Sequence, residues 1–398
     1  MKGVLYDISN WFSQLFRVWV NEFRLVFSDL GVLLFFIGLP LGYPIVYTLI
    51  YNPEVPRDIA VAVVDNARTA DSRELVRHVD ATPEIGVVGY ASSLSEARRW
   101  MAEKKCYGVL QIPEDYSRKI GTGQQVHVTF YSDMSLLLRY RSFMGALTDV
   151  QLATGADIRS ELMERLGVSP DAAGQIRNQA FFLGDTEQGF ASFVIPGIII
   201  LILQQSIVLG VTMLIGTSRE RRRRNGGLDA LQVDASPSAS VMGKMLCYLA
   251  IYIPMTLYVL HYIPLMFDLP HIGEASQFFT FILPLIIGSV FFGMTLGCFV
   301  REREMSLMVV VFTSLVFLFL SGLTWPRYAM NSLWYWLGNC VPAVWGVEGF
   351  IRINSNGAAL SETATPYIAM WILVVVYFIA AWFLASRERR QVMPSSRA

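Results

Sequence analysis

A polytopic α-helical membrane protein of six transmembrane helices, with an α/β domain inserted after the first, is what the sequence predicts. The prediction rests on three observations. Of 398 residues, 54% are hydrophobic and only 16% charged, against about 25% charged in soluble domains. Six uncharged runs approach or exceed the length needed to cross a bilayer as helix, and the basic residues fall on alternate sides of them. Between the first two runs the pattern changes to alternating strands and helices.

The chain opens with an amphipathic segment, residues 1–27. Ile8, Trp11, Phe12, Leu15, Phe16, Trp19, Phe23 and Phe27 recur at the spacing of one helix face. Lys2, Asp7, Arg17, Glu22 and Arg24 interrupt any continuous apolar stretch, which argues against a cleavable signal peptide. A helix lying in the membrane interface fits this pattern. The predicted spans are 28–51, 190–218, 245–267, 275–300, 305–325 and 363–386. A further uncharged run, Tyr328–Val347, is a poor span: it holds Asn331, Ser332, Asn339 and Pro342 beside Trp334, Trp336 and Trp345. This interface-type composition reads as a re-entrant hairpin, 326–353.

Charge fixes the expected orientation. With both ends inside, Lys2, Arg17, Arg24, the basic loop 219–244, Arg301, Arg303 and the tail 387–398 with Arg387, Arg389 and Arg390 are cytoplasmic. The loop near Asp268–Glu274 carries no Lys or Arg, and the segment after the fifth span carries only Arg327 and Arg352. A seventh span would put the basic tail outside, against the positive-inside rule.

The insert, 52–189, is then extracytoplasmic. Strands are expected at Asp58–Asp65, Glu84–Tyr90, Cys106–Pro113 and Gln125–Asp133, and helices at Ser72–Asp80 and Ser93–Lys105, the latter opened by a Ser-x-x-Glu cap. A long helix follows Ser135 to about Leu166.

Bond-making chemistry finds no foothold. The chain has no GxxxxGK[ST], HExxH or GxSxG. Its four histidines, His78, His127, His261 and His271, are far apart in sequence, and Cys106, Cys247, Cys298 and Cys340 lack metal-type spacing. His261 lies within a span, where ligand or proton binding competes with simple packing. The formal net charge of zero argues against a nucleic-acid partner. Prolines 40, 44, 196, 254, 264 and 284 interrupt the apolar helices, so the freed backbone groups need partners from neighbouring helices.

Two stretches resemble a known family, the ABC-2 type transporter permeases. After the second span, Arg219, Glu220, Gly226, Leu228, Asp229, Leu231 and Gly243-Lys244 match the order of the family's "RE…G-T-L-E-x-L…P…GK" loop. Gly227 stands where Thr is usual, and Ala235 where Pro is expected, with Pro237 displaced. After the fifth span, Ser321, Gly322, Pro326, Met330, Leu337, Pro342, Trp345, Gly349 and Arg352 align with its "SG…P…MP…L…P…Y/W…E/R-G-[FIL]-R" segment; Asn331 replaces a Pro. The span count, the amphipathic "elbow" and the large insert resemble the subgroup with periplasmic domains.

The resemblance implies the permease subunit of an exporter in the bacterial inner membrane, moving a hydrophobic or amphipathic drug, lipid or peptide outward. It implies no cofactor in this chain: ATP-Mg belongs to a separate ATPase subunit. The other expected partners are a second permease copy or paralogue, membrane lipids and, as a further option, a periplasmic adaptor. Arg219, Glu220, Leu228, Asp229 and Leu231 are then the ATPase-coupling residues. Trp325, Pro326, Pro342, Trp345, Glu348 and Gly349 belong to the outer gate. The alternative is a membrane-anchored receptor acting through its extracytoplasmic domain. An ion-coupled transporter is disfavoured, since the spans hold almost no charge and show no inverted repeat.

Overall fold

The computed structural model describes residues 2–51, 56–165, 190–226, 229, 231–269 and 271–392. The chain divides into two compact units, Met1–Asn52 with Phe182–Ala398, and Pro53–Phe181.

The first unit is helical. Lys2–Ser28 forms one long amphipathic helix. Asp29 ends it and caps the next helix, its Oδ1 accepting from the Gly31 and Val32 amides at 3.0 and 3.2 Å. Among the described residues, six helices are long and apolar enough to cross a membrane: span 1, Leu30–Tyr51; span 2, Ala191–Arg224; span 3, Pro237–Met266; span 4, Ala275–Phe299; span 5, Arg303–Leu320; and span 6, Ala364–Arg390. Span 2 is the central post, because 83% of its most apolar stretch is buried, against 22% for spans 1 and 5. Its helix runs on through Arg224, so the arginines stand on the last turns of a helix rather than in the expected loop.

Two wide, π-type turns interrupt this regularity, Leu34–Gly38 in span 1 and Tyr258–Tyr262 in span 3. Each lies just ahead of a proline, Pro40 or Pro264. A proline ring clashes with the carbonyl four residues back and offers it no N–H, so the helix widens there. Pro40 thus denies Phe36 its ordinary donor, and the Tyr252 hydroxyl of span 3 lies 2.8 Å from that carbonyl. The proline in one span is satisfied by a side chain of another, as an apolar surround demands.

Between spans 5 and 6 the chain folds into two short helices, Ser332–Asn339 and Pro342–Asn356. Asn331 caps the first; Pro342 opens the second, where a missing N–H costs nothing. The second helix packs tightly on the bundle. A Cβ added at Gly349 would stand 2.2 Å from the Phe281 ring of span 4, so only glycine permits the approach.

The described residues of the second unit carry a four-stranded sheet in the order β2-β1-β3-β4. β1 (Ile59–Asp65) lies parallel to β2 (Ile85–Tyr90) and β3 (Gly108–Ile112), while β4 (Thr129–Ser132) runs antiparallel to β3. Side chains alternate across β1. Val61 and Val63 meet Leu75, Val76 and Val79 of helix Ala70–Asp80 on one face. Ala62 and Val64 meet Ala97 of helix Leu94–Ala102 on the other. Ser93 caps that second helix, but the Glu96 carboxylate reaches back to the Ser92 amide, at 2.8 Å, rather than to the cap itself. Helix Leu137–Arg165 completes the described part of this unit.

Candidate coupling loop and hairpin site

The last turns of span 2 gather the ends of four other spans. Arg219 Nη1 donates to the carbonyls of Gly297 at 2.7 Å, Cys298 at 3.3 Å and Val300, and Nη2 meets Glu388 of span 6 at 2.5 Å. One guanidinium therefore satisfies the orphan carbonyls where span 4 ends. Glu220 does the reverse, its carboxylate accepting from the Arg303 amide at 2.7 Å, at the electropositive start of span 5. Arg223 pairs with Glu302 at 2.8 Å, and Arg303 with Asp29 at 2.7 Å, which adds span 1. Arg219 and Glu220, two of the expected ATPase-coupling residues, both turn toward the bundle, where they join its helix ends.

Asp229 is likewise turned inward. Arg221 grips it with a two-pronged pair, Nε to Oδ1 at 3.0 Å and Nη2 to Oδ2 at 3.1 Å. The Ser218 hydroxyl donates to Oδ2 at 2.7 Å and the Leu231 amide to Oδ1 at 3.1 Å. The Asp229 side chain is only 1% exposed. Burial alone pushes its carboxyl up, but the hydrogen bonds from Arg221, Ser218 and Leu231 and the Arg221 charge outweigh it and leave the pKa below the usual value.

Leu231, in contrast, is 49% exposed. Leu228, like Gly227 and Ala230, lies outside the described residues. Asn21 Nδ2 of the N-terminal helix donates to the Leu231 carbonyl at 2.8 Å, and the Ser236 amide donates to Gln14 at 2.7 Å. The displaced proline finds its place here: Ser236 is the N-cap of the span 3 helix and Pro237 its first residue.

Gly243 and Lys244 seat the N-terminal helix on span 3. A Cβ on Gly243 would lie 2.8 Å from the Leu15 carbonyl. Lys244 stands 3.7 Å from Glu22, a buried carboxylate that also accepts from the Tyr248 hydroxyl.

The hairpin forms the second cluster, around an arginine that sequence reasoning left as a topology marker. Arg327 donates to Glu348 and to Asn339, and its guanidinium lies over the rings of Trp345 and Tyr335, 4.5 and 5.1 Å from their centroids. Trp345 Nε1 donates to the Asn339 carbonyl at 3.0 Å, and Arg352 pairs with Glu348 at 2.9 Å. Pro326 leads into the turn Arg327–Ala329, and Trp325 is 59% exposed. Gln204, fully buried in span 2, accepts from the Ala343 amide at 2.6 Å at the start of helix Pro342–Asn356. Span 2 therefore touches both clusters.

The fold also brings His261 and His271 together, ring centroids 5.6 Å apart, with His271 Nδ1 3.1 Å from Asn354. Among the described residues, no three His, Cys, Asp or Glu side chains converge on a metal position.

No curated protein matches the chain. The six apolar helices make it a multi-pass membrane protein of helical type. The family model described as "ABC-2 family transporter protein" matches residues 31–383, and the chain belongs to that family.

Proposed function

We propose that the chain is the permease subunit of an ATP-binding cassette exporter. It moves a hydrophobic or amphipathic molecule outward, using ATP-Mg bound and hydrolysed by a separate subunit. In this reading both termini and the 219–244 loop are cytoplasmic, while residues 52–189 and the hairpin face outward. A second copy or a paralogue completes the pathway. The N-terminal helix lies in the inner interface as an elbow, its Phe12 and Phe16 exposed toward lipid.

One observation carries the coupling proposal: the Arg221–Asp229 pair fastens the loop to span 2 while Leu231 stays exposed. An ATPase surface that takes up Leu231 in an apolar groove pushes on the loop. The buried pair passes that push to span 2, and Gln204 passes it to the hairpin helix. Asp229 acts as a positioning residue, not as a contact, because its carboxylate is committed within the chain. Arg219 and Glu220 keep the other helix ends in register with span 2.

The test is ATP hydrolysis in proteoliposomes holding the chain with an ABC ATPase subunit from the same source. The expected result is hydrolysis that rises with amphipathic compounds and drives their ATP-dependent uptake into inverted vesicles. Hydrolysis without uptake of any dye, lipid or peptide in a broad panel contradicts the export reading. It would favour a role for the insert as a surface receptor.

A further inference from the structure

A cavity of about 380 Å³ opens between the N-terminal helix, Asp229, residues 231–235 and the ends of spans 2, 3, 4 and 6. Its volume falls within the roughly 300–1,000 Å³ of small-ligand sites. Its lining includes the apolar Leu214, Met294 and Leu384 and the cationic Arg222, Lys244 and Arg389.

Four carboxylates share the lining, Glu22, Asp229, Asp234 and Glu388, and each is held by another partner or engages Arg222, Lys244 and Arg389 only weakly. Asp229 is held by Arg221, and Glu388 by Arg219. Arg222 leans on the neutral Gln232 and comes no nearer than 3.8 Å to Glu388. Lys244 is 3.7 Å from Glu22, too long for a hydrogen bond. Arg389 reaches Asp234 at 3.2 Å, but the Asp234 side chain is 82% exposed and its charge is screened. Arg389 Nε is buried and has no hydrogen-bond partner. A buried guanidinium N–H left unpaired is costly until an acceptor arrives, and an anionic acceptor fits it best.

We propose that this cavity binds the phosphate group of an anionic amphiphile, with the phosphate among Arg222, Lys244 and Arg389 and apolar chain against Leu214, Met294 and Leu384. Given the orientation proposed above, the available source is a phospholipid of the inner leaflet; free phosphate is the other source of the same chemistry. A bound headgroup would stitch spans 2, 3 and 6 together at the docking face, so the transporter would assemble best in anionic membranes.

Binding is read without ATPase or transport, so the outcome is independent of the export reading. The full chain, purified in detergent, is examined by native mass spectrometry with phosphatidylglycerol, phosphatidylcholine or inorganic phosphate added. The account expects one retained phosphatidylglycerol per chain and no comparable phosphatidylcholine. The Arg222→Gln/Lys244→Gln/Arg389→Gln variant should bind roughly tenfold or more weakly. Arg224→Gln, an exposed cation outside the cavity, should bind as the native chain does. Displacement by millimolar phosphate would assign the site to free phosphate; indifference to phosphate assigns it to lipid. If the triple variant does not elute as a single species, Arg389→Gln alone carries the comparison. Equal retention of phosphatidylglycerol by native and variant chains, or equal retention of phosphatidylcholine, overturns the proposal.

Discussion

The Tyr252 hydroxyl lies 2.8 Å from the Phe36 carbonyl, the group that Pro40 leaves without its helical donor. The same hydroxyl is 2.8 Å from Ser206, so one side chain links spans 1, 2 and 3. Tyr252→Phe should lower stability by about 1–2 kcal/mol, read as the thermal midpoint in detergent. In a Pro40→Ala background residue 40 regains an N–H, and the same substitution should cost less. Equal costs in both backgrounds would show that the proline has nothing to do with the bond.

Gly243 should tolerate no larger residue. Gly243→Val places side-chain atoms against the Leu15 backbone, 2.8 Å from where a Cβ would sit. The N-terminal helix must then shift, at about 1–3 kcal/mol. Limited proteolysis should cut within residues 2–28 faster than in the native chain. Unchanged cleavage would mean that the helix is not seated through this glycine.

The Asp229 carboxyl has its pKa lowered by its partners, so it gives stability that is complete above the unfolded value of about 4 and lost as pH falls through the lower, folded value. Hydrogen-exchange protection of the Leu231 amide, corrected for intrinsic rates, should therefore stay level from neutral pH to about 5 and fall only in stronger acid. Asp229→Asn should reduce protection across the whole range. A loss centred near neutral pH would point to a different group.

The hairpin cluster should separate transport from assembly. Arg327→Lys keeps the charge but loses the planar fork that meets Glu348 and Asn339 and stacks on Trp345. That variant, with Glu348→Ala and Trp325→Ala, should cut uptake by roughly tenfold, the cost of about 1.4 kcal/mol, while the ATPase stays bound. Full uptake in all three would remove the hairpin from the pathway.

How far the sequence was legible depends on range. The six apolar helices declare themselves through runs of uncharged residues, because the need for a membrane-length apolar segment is local. The strands of the second unit show as short apolar runs, as in Ile59–Asp65, which is covered on both faces. The arginine contacts could not be read this way. Arg219 finds Glu388 across 169 positions, and Arg303 finds Asp29 across 274, so their closing of helix ends shows only once the distant partners are folded beside them. The inward turn of Asp229 was hidden for the same reason: its Asp-x-Leu spacing suits a solvent-facing turn until Arg221 and Ser218 are folded beside it. The wide turns at Leu34–Gly38 and Tyr258–Tyr262 were half visible, since the prolines were plain but their compensating donors were not.

The most direct measurement is co-purification of the chain with an ABC ATPase subunit from the same source, comparing native protein with Leu231→Asp and Leu228→Asp. A charge at Leu231 cannot enter an apolar groove but leaves the Arg221–Asp229 pair intact. Leu231→Asp should therefore lose the ATPase while keeping the native thermal midpoint, and Leu228→Asp should weaken the complex as well. If both variants retain the ATPase and support ATP-dependent uptake at native rates, the coupling loop is not where the motor acts, and the central claim fails.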